Sequence, residues 1–312
     1  MKHLIVIVGP TAIGKTALSI RLAQVFGAEI LSCDSRQFFK EMNIGTAAPT
    51  SDEQAAAPHH FVQQLSIHEQ YTVGDYEKQA VALLDQLYQK NDVAIMVGGS
   101  GLYVDAVLKG FDTFPEIASE VRQTVQQQYQ EKGLAYLQEQ LKVLDLKYYE
   151  KISAKNPQTL LNPQRMMRFV EVCLGTQKPY SSFLNQKQTQ RNFTPIIIGL
   201  EAERSVLYDR INHRVDLMIG QGLLDEAKSL YPYKDLNALQ TVGYRELFAY
   251  FDGQESLEKA VENIKTNTRH FAKRQLTWFR RTPNVVWFDY TTDAEKIVAL
   301  IQQKIKENAH SA

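Results

Sequence analysis

The sequence LIVIVGPTAIGKT, residues 4–16, begins with five apolar residues and ends in a glycine-rich turn. The turn matches the pattern G-x-x-x-x-G-K-[ST] of a phosphate-binding loop, or P-loop, which joins a buried strand to a helix. Its glycines let the backbone approach phosphate oxygens, and the positive amino end of the following helix attracts an anion. We therefore predict an α/β fold in which a P-loop NTPase-like parallel sheet is flanked by helices, with the first helix at about residues 15–26.

Two side chains of this loop carry specific expectations. Lys15 supplies a positive charge for a phosphate group, and the Thr16 hydroxyl is the candidate ligand for Mg²⁺. Phosphate binding is therefore the first functional prediction. The loop residues predicted to bind phosphate are Gly9, Pro10, Thr11, Ala12, Ile13, Gly14, Lys15 and Thr16.

Composition limits the remaining classes of protein. The 312 residues include 35 basic and 35 acidic side chains, so no net charge draws the whole molecule to nucleic acid. Cys33 and Cys173 belong to no CxxC pair and to no histidine cluster, which argues against a disulfide framework and a zinc site. No apolar stretch approaches the length that spans a membrane. These features predict a soluble cytoplasmic protein with no membrane partner.

The next strong strand, DVAIMV at residues 92–97, is followed by Gly98, Gly99, Ser100 and Gly101. A P-loop hydrolase usually has an aspartate at this point to hold the magnesium shell, and this sequence has none. The glycines have two interpretations. Either something bulky lies close to the backbone, with the Ser100 hydroxyl available to it, or a tight turn requires positive φ angles. The missing acid favours transfer to an acceptor over hydrolysis.

Asp34 follows the predicted strand 29–33, within the sequence LSCDSRQ. The carboxyl ends of neighbouring strands in a doubly wound sheet face one crevice, so we expect Asp34 to lie beside the P-loop. Three roles are open for its carboxylate: a magnesium ligand, a general base toward an acceptor, or the cap of a turn.

Several blocks of sequence together resemble one family. The order and approximate spacing found in bacterial tRNA dimethylallyltransferases are seen in the blocks GPTAIGKT, SCDSRQFFKEMNIGTAAP, PHHFV, MVGGSGLY, NPQRMMR, LQTVGYREL and TRHFAKRQLTWFRR. The resemblance runs nearly end to end. Two positions depart from the family pattern: Ser100 stands where threonine is more frequent, and Cys33 where valine or alanine is frequent.

This resemblance implies a reaction. It implies that the P-loop holds the diphosphate of dimethylallyl diphosphate. The prenyl group then passes to N6 of the adenosine immediately 3′ of the anticodon, in tRNAs that read codons beginning with U. Asp34 becomes the general base that removes the N6 proton. Lys15, Thr16 and Mg²⁺ neutralise the departing diphosphate.

A further cation is expected from the segment 207–227. Arg210 and Arg214 lie four residues apart, on one face of a predicted helix. The resemblance places an arginine of this helix at the diphosphate, and we favour Arg214 as the fourth catalytic residue. The alternative is that both arginines are solvated and pair with Asp209 or Asp216.

The segment 263–281 contains six lysines or arginines and no acid. A helical wheel gives it a basic stripe and an apolar face, on which Trp278 is expected to pack into the core. A run without a compensating carboxylate favours contact with a polyanion. The stripe residues are Lys265, Arg269, Lys273 and Arg280. The residues predicted to contact the tRNA anticodon stem-loop, most of them through the resemblance, are Asp34, Ser35, Arg36, Gln37, Ser100, Arg122, Gln164, Arg165, Met166, Met167, Arg168, Lys273 and Arg274.

The segment 115–191 is glutamine-rich and has a helical pattern without a convincing strand. We therefore predict a P-loop α/β core formed by residues 1–113 and 193–312, and an inserted all-helical domain, 114–192, that contacts tRNA. No dimerisation stripe is evident, so we expect a monomer. His59 and His60 are adjacent and cannot both face one ion from a regular element, which argues against a metal site there.

Three other functions are considered. An adenylate prenyltransferase would share the core chemistry but would need neither the helical insertion nor the basic stripe. A P-loop kinase of a nucleoside or small metabolite would bind ATP in the loop and use Asp34 as its base, which leaves the basic segment unexplained. A nucleotide-gated RNA-binding module would leave Asp34 without a chemical role.

Overall fold

The computed structural model describes residues 1–112, 114–184 and 190–310. Within these residues six parallel strands form one sheet in the order β3-β2-β4-β1-β5-β6. The strands are β1 His3–Val8, β2 Ile30–Ser32, β3 His59–His60, β4 Val93–Val97, β5 Thr194–Glu201 and β6 Val285–Asp289. The predicted class, a P-loop-type parallel sheet flanked by helices, is confirmed.

The α-helices of the described residues are α1 Lys15–Phe26, α2 Ser51–Ala56, α3 Val73–Leu87, α4 Gly101–Lys109, α5 Ser119–Leu144, α6 Leu146–Lys155, α7 Pro163–Thr176, α8 Arg204–Gly220, α9 Leu223–Leu230, α10 Tyr244–Phe251, α11 Leu257–Phe279 and α12 Ala294–His310. None of these helices is both long enough and apolar enough to cross a membrane.

Strand β1 determines where the P-loop lies. All six of its residues are buried, as expected for a central strand of a parallel sheet that is covered on both faces. It pairs with β4 on one side, with Ile7 opposite Val97, and with β5 on the other, with Val8 opposite Gly199. The loop that follows β1 therefore emerges at the carboxyl edge of the sheet, between the ends of β4 and β5.

The first helix has the predicted bounds, because glycines stand at both of its ends. Gly14 precedes α1 with a φ of 105°, and Gly27 follows it with a φ of 60°, which is the left-handed conformation that ends helices. Strand β2 is shorter than the predicted 29–33. Strand β3 was not predicted, because two edge residues carry too little pattern to be recognised.

By their contacts the residues form two compact units, Met1–Lys109 with Gln190–Ala312, and Gly110–Thr189. The first contains the sheet. The second is built from α5, α6 and α7 around a core that includes Leu137, Leu141 and Met166. Helix α5 is kinked at Gly133, whose φ of 74° is not helical. The predicted boundaries of the helical domain, 114–192, and its role as a tRNA-contacting domain stay predictions.

An aromatic cluster secures the end of β2 just before Asp34. Tyr76 of α3 is fully buried, and its hydroxyl donates a hydrogen bond of 2.9 Å to the Ser32 carbonyl oxygen. Its ring is stacked on Phe38, with centroids 5.4 Å apart, and meets the edge of Phe61 at 4.9 Å. This hydrogen bond satisfies a buried carbonyl at the point where the strand turns toward the site.

We expect Tyr76→Phe to lower the free energy of unfolding by about 1–3 kcal/mol, because the Ser32 carbonyl would be buried without its partner. Urea unfolding followed by tryptophan fluorescence measures this, since Trp278 and Trp287 both belong to the first compact unit. Tyr233→Phe is the control, because Tyr233 is 45% exposed. Equal unfolding curves for Tyr76→Phe and the wild type would contradict the prediction.

Candidate active site

The P-loop forms a concave anion cradle after β1. Gly9 has a φ of 145°, and a Cβ atom at this position would lie 2.5 Å from the carbonyl oxygen of Leu200. Ala12 also has a positive φ, 64°, a conformation that is costly for a residue other than glycine and recurs at functional sites. Lys15 donates from Nζ to the Pro10 carbonyl oxygen at 2.7 Å, which holds its ammonium group over the loop.

A cavity of about 410 Å³ lies over the P-loop and is called the donor cavity, because the P-loop is predicted to hold the diphosphate of the prenyl donor. It brings together side chains from distant parts of the sequence, all of them in the first compact unit. The predicted site residues that line it are Thr11, Ala12, Ile13, Gly14, Lys15, Thr16, Asp34, Gln37, Arg210 and Arg214. The four predicted catalytic residues therefore face one space.

The cations of the donor cavity are partly shielded from water. Burial, followed by the charge of Arg214, lowers the pKa of Lys15 from 10.5 to about 8, against the opposing charge of Asp34. Burial also lowers the pKa of Arg214, although Asp34 and Glu53 act in the other direction. Cations that are withdrawn from water and close to each other form a strong site for a multiply charged anion.

Arg210 and Arg214 occupy different positions relative to the loop. Arg210 donates from Nε to the Ala12 carbonyl oxygen at 2.8 Å, and its guanidinium group lies 4.9 Å from the centroid of the Tyr290 ring. Arg214 donates to Thr11 Oγ1 at 3.4 Å. Both arginines thus contact the P-loop, and neither forms an ion pair with Asp209 or Asp216 within the described residues.

A second cavity, of about 300 Å³, adjoins the first and is called here the acceptor cavity. The residues that line both cavities are Thr11, Asp34, Thr46 and Arg214. The predicted residues Ser35, Arg36, Ser100 and Arg274 line the acceptor cavity, together with Phe271 and Arg245. Asp34 therefore lies where two spaces meet, an arrangement suited to a reaction between two substrates.

The Asp34 carboxylate also caps a turn. Its Oδ1 atom accepts the Arg36 backbone N–H at 3.0 Å, while its own N–H points to Ser32 Oγ at 3.4 Å. Of the three roles that the sequence left open, the turn cap is present in the structure. It is compatible with the others, because the carboxylate also lines both cavities.

The glycines after β4 are explained by close protein side chains. A Cβ atom at Gly98 would lie 2.5 Å from Cys33 Sγ, and one at Gly99 would lie 2.0 Å from Gln275 Nε2. Neither glycine has a positive φ, so the interpretation as a turn that requires one is wrong. Close approach of a bulky group is the right interpretation, but the groups come from the protein itself.

Gln275 is a site residue that the sequence analysis missed. Its Oε1 accepts the Thr11 N–H at 2.8 Å, and its Nε2 donates to the Gly99 carbonyl oxygen at 3.0 Å. The side chain is only 5% exposed, and it joins the P-loop to the loop that follows β4. The available signal was a glutamine on the otherwise apolar face of α11, where a polar side chain needs partners.

The residues after Asp34 make contacts within the protein that shape the site. Arg36 donates to the carbonyl oxygens of Asn237 and Ala238 at 2.8 and 2.9 Å. Ser35 donates its N–H to Ser100 Oγ at 3.2 Å. These bonds fix the loop, and tRNA contact by the same residues stays a prediction.

Three members of the predicted basic stripe are neutralised by acids. Lys265 pairs with Asp216 at 2.6 Å, Arg269 with Glu262 at 3.3 Å and Arg280 with Glu201 at 3.3 Å. The expectation of an uncompensated stripe is therefore wrong at these positions. The sequence window held no acid because Asp216 and Glu201 come from α8 and β5, and Glu262 lies just before the window.

The remaining predicted cations of α11, Lys273 and Arg274, are exposed and form no ion pair in the part of the chain that is described. The Arg274 guanidinium group lies 5.7 Å from the Phe271 ring centroid. Trp278 was expected in the core but is 38% exposed. Its ring packs against Gly101, where a Cβ atom would lie 2.3 Å from Trp278 Cδ1.

In the helical unit, considered by itself, one predicted contact does not fit. Met166 is fully buried in the core of the unit, so its side chain cannot touch RNA. Gln164 and Arg165 are exposed, and Met167 is half-buried. Arg122 and Arg168 both bind Glu171 Oε1, at 2.9 and 3.2 Å, which offsets part of their charge.

A P-loop sheet with an acid between two adjoining cavities defines an α/β protein of the P-loop class with a two-substrate site. The chain belongs to the IPP transferase family, whose model matches residues 37–282. This finding confirms the resemblance that the sequence motifs indicated.

Similar proteins cover nearly the whole chain. The tRNA dimethylallyltransferase of Flavobacterium johnsoniae is 65% identical over 308 residues, which is 99% of this chain and 100% of that protein. The tRNA dimethylallyltransferase of Flavobacterium psychrophilum is 64% identical over 306 residues, 98% of this chain and 100% of that one. The crystal structure of a tRNA isopentenylpyrophosphate transferase from Bacillus halodurans has a TM-score of 0.74 at 35% identity and covers 99% of both chains.

We expect the affinity for inorganic diphosphate to fall as the pH rises above about 8. Free Lys15, with its pKa lowered to about 8, loses its proton there, so binding must first take up a proton. The loss is at most about tenfold per pH unit. Isothermal titration from about pH 7 to about pH 9 measures it. Lys15→Gln is the reference because the titration of diphosphate itself is common to both proteins, and parallel pH curves for the two would refute the role of Lys15.

Proposed function

We propose that the protein transfers the dimethylallyl group of dimethylallyl diphosphate to N6 of an adenosine in tRNA, the one immediately 3′ of the anticodon in tRNAs that read codons beginning with U. The observation that carries the proposal is the position of Asp34, in the wall shared by the donor cavity and the acceptor cavity. The high identity to tRNA dimethylallyltransferases over the full chain supports the substrate class.

The donor cavity has the chemistry that a leaving diphosphate needs. The backbone of residues 9–16, the Lys15 ammonium group and the Arg214 guanidinium group supply positive charge where the diphosphate departs. An ATP-hydrolysing site would instead need an acid after β4, and Gly98 and Gly99 stand there. Transfer to an organic acceptor fits this site better than hydrolysis.

Mg²⁺ belongs to the same proposal. The residues present fit the ion, since the donor cavity offers the Thr16 hydroxyl and the carboxylates of Asp34 and Glu53. Mg²⁺ is commonly bound by one or two carboxylates together with the phosphate oxygens of a substrate. Thr16 would hold it. When bound, the ion supplies charge neutralisation to the departing diphosphate.

Asp34 acts on the acceptor. The lone pair of an exocyclic adenine amine is delocalised into the ring, so the nitrogen becomes nucleophilic as its proton leaves. In the proposed step the N6–carbon bond forms, the carbon–oxygen bond to diphosphate breaks, and the N6 proton passes to the Asp34 carboxylate. The adenine must leave its stack to reach the acceptor cavity, and such unstacking costs a few kcal/mol.

RNA contact is proposed for the exposed predicted residues Gln164, Arg165, Arg122, Lys273 and Arg274, for the partly buried Arg168, and for the 34–37 loop. Single-stranded loops are usually recognised through splayed bases, which suits an anticodon loop. The predicted monomeric state and cytoplasmic location remain part of this proposal.

The function is tested by incubating the protein with labelled dimethylallyl diphosphate and either unmodified tRNA or AMP. Label in tRNA supports the proposal. Label only in AMP would favour the adenylate prenyltransferase, and phosphate transfer from ATP to a small molecule with no prenylation would favour the kinase.

We expect Asp34→Ala to lower kcat by at least about 10²-fold, because the N6 proton would lose its acceptor. The affinity for tRNA should change little, because removing a negative charge weakens no phosphate contact and the 34–37 loop keeps the hydrogen bonds of Ser35 to Ser100 and of Arg36 to Asn237 and Ala238. Single-turnover prenylation and a filter-binding titration measure the two quantities. Weaker binding with intact turnover would make Asp34 an RNA anchor instead of a base.

Lys273→Ala should weaken tRNA binding and reduce the slope of log K against log salt concentration by about one unit, since one phosphate contact would be lost. Arg280→Ala is the matched control, because Arg280 is also an exposed cation of the same segment but pairs with Glu201 at 3.3 Å. Equal loss of affinity in both variants would contradict the prediction, because the unpaired Lys273 would then contribute no more to tRNA binding than the paired Arg280.

A further inference from the structure

The segment 43–47 forms part of the wall at the junction of the two cavities. Gly45 and Thr46 line the acceptor cavity, and Thr46 and Ala47 line the donor cavity. Thr46 is one of the four residues common to both cavities, as is Asp34. In the proposed reaction, the position of this segment therefore limits which nucleophile, the acceptor amine or water, can approach the allylic carbon of the donor.

A single carboxylate holds the backbone of the segment from outside the cavities. Glu226 of α9 accepts three consecutive backbone N–H groups: Asn43 at 3.1 Å and Ile44 at 2.8 Å bind its Oε2, and Gly45 at 2.9 Å binds its Oε1. Successive N–H groups that converge in this way form an anion-binding concavity. Hydrogen bonds to a charged acceptor are about twice as strong as neutral ones.

Tyr244 completes the arrangement. Its hydroxyl donates to Glu226 Oε1 at 2.7 Å, and its side chain is fully buried. A Cβ atom at Gly45 would lie 2.6 Å from the Tyr244 ring, so the segment packs against the ring as closely as a glycine allows. Burial and the Glu226 charge raise the pKa of Tyr244, which keeps its hydroxyl protonated as a donor.

The other end of the segment is tied to the strand that precedes Asp34. Gln37 donates from Nε2 to the carbonyl oxygens of Thr46 and Ala47 at 3.3 and 3.0 Å, and its Oε1 accepts the Ser32 hydroxyl at 3.1 Å. The segment is thus anchored at both ends, by Gln37 at Thr46 and Ala47 and by Glu226 at residues 43–45. The Glu226 anchor is the only one of the two that carries a charge.

We propose that Glu226 and Tyr244 are positioning residues that keep the 43–47 wall closed, so that the acceptor amine and not water reaches the allylic carbon. The inference rests on the proposed function. With the wall displaced, water attacks: a carbon–oxygen bond to water forms, the carbon–oxygen bond to diphosphate breaks, a proton passes to solvent, and dimethylallyl alcohol and diphosphate are released. Exclusion of water from an active site prevents such side reactions.

The test compares two products of one reaction mixture. With dimethylallyl diphosphate and unmodified tRNA, the diphosphate released and the prenyl group found on tRNA are both quantified. The variants are Glu226→Gln, which removes the charge, and Tyr244→Phe, which removes one hydrogen bond and keeps the ring. Glu295→Gln is the matched control, because Glu295 binds Arg21 in an exposed ion pair and lines neither cavity.

The wild type and Glu295→Gln should release about one diphosphate per prenyl group transferred. Glu226→Gln should raise this ratio at least about threefold and lower kcat for transfer by about tenfold or more, since small displacements in an active site can cost 10²-fold. Tyr244→Phe should move both quantities in the same direction by less. If Glu226 and Tyr244 had only a structural role, activity would fall but the ratio of diphosphate released to prenyl group transferred would stay near one.

A ratio near one in both variants overturns the inference, whatever their activity. If Glu226→Gln fails to fold by circular dichroism, Tyr244→Phe decides by the same criterion. If the wild type transfers no prenyl group to tRNA, the proposed function fails and this inference fails with it. Wild-type transfer with unchanged variants overturns this inference alone.

Discussion

The site depends on the compensation of charge over the P-loop. Lys15 and Arg214 lie close enough for the charge of one to lower the pKa of the other, and burial lowers both. Asp34 opposes the shift in each case but supplies only one negative charge. The donor cavity is lined by three cations, Lys15, Arg210 and Arg214, and by two carboxylates, Asp34 and Glu53, so an excess of positive charge remains that suits a multiply charged anion. In the proposed reaction the same positive charge would favour the departure of diphosphate.

The P-loop could be predicted from the sequence because its determinants are local. A buried strand, glycines with positive φ and a helix that starts at Lys15 all lie within a short window, and each was found where the pattern placed it. The supports of the loop could not be predicted in this way. Gln275 reaches Thr11 from another part of the chain, and Cys33 fills the space above Gly98. The Gln275 contact depends on the packing of α11, and the Cys33 contact depends on the pairing of β2 with β4, and neither lies within one short stretch of sequence.

The errors in the surface prediction have the same origin. The sequence showed a run of basic residues along α11 with no acid among them, but Lys265 and Arg280 form ion pairs with acids of α8 and β5. Sequence windows register the charges of one element and omit those of its neighbours. Met166 was predicted to contact tRNA because it lies within a sequence block shared with the family, but its side chain is buried. Such a block includes side chains that face the core as well as those that face outward. Burial separates these two groups, and the sequence motif alone does not.

The turn-capping role of Asp34 and its proposed role as a base support each other. Because Oδ1 accepts the Arg36 N–H, the carboxylate is fixed in orientation by the backbone of the loop that carries it. A base whose rotamer is fixed before the substrate arrives loses little entropy during proton transfer. Further hydrogen bonds hold the neighbouring segment, since Gln37 links the strand before Asp34 to Thr46, and Glu226 binds the three residues that precede Thr46. The loop that carries Asp34 and the 43–47 segment are therefore linked by one continuous framework of hydrogen bonds and backbone, which connects Glu226 to the junction of the two cavities.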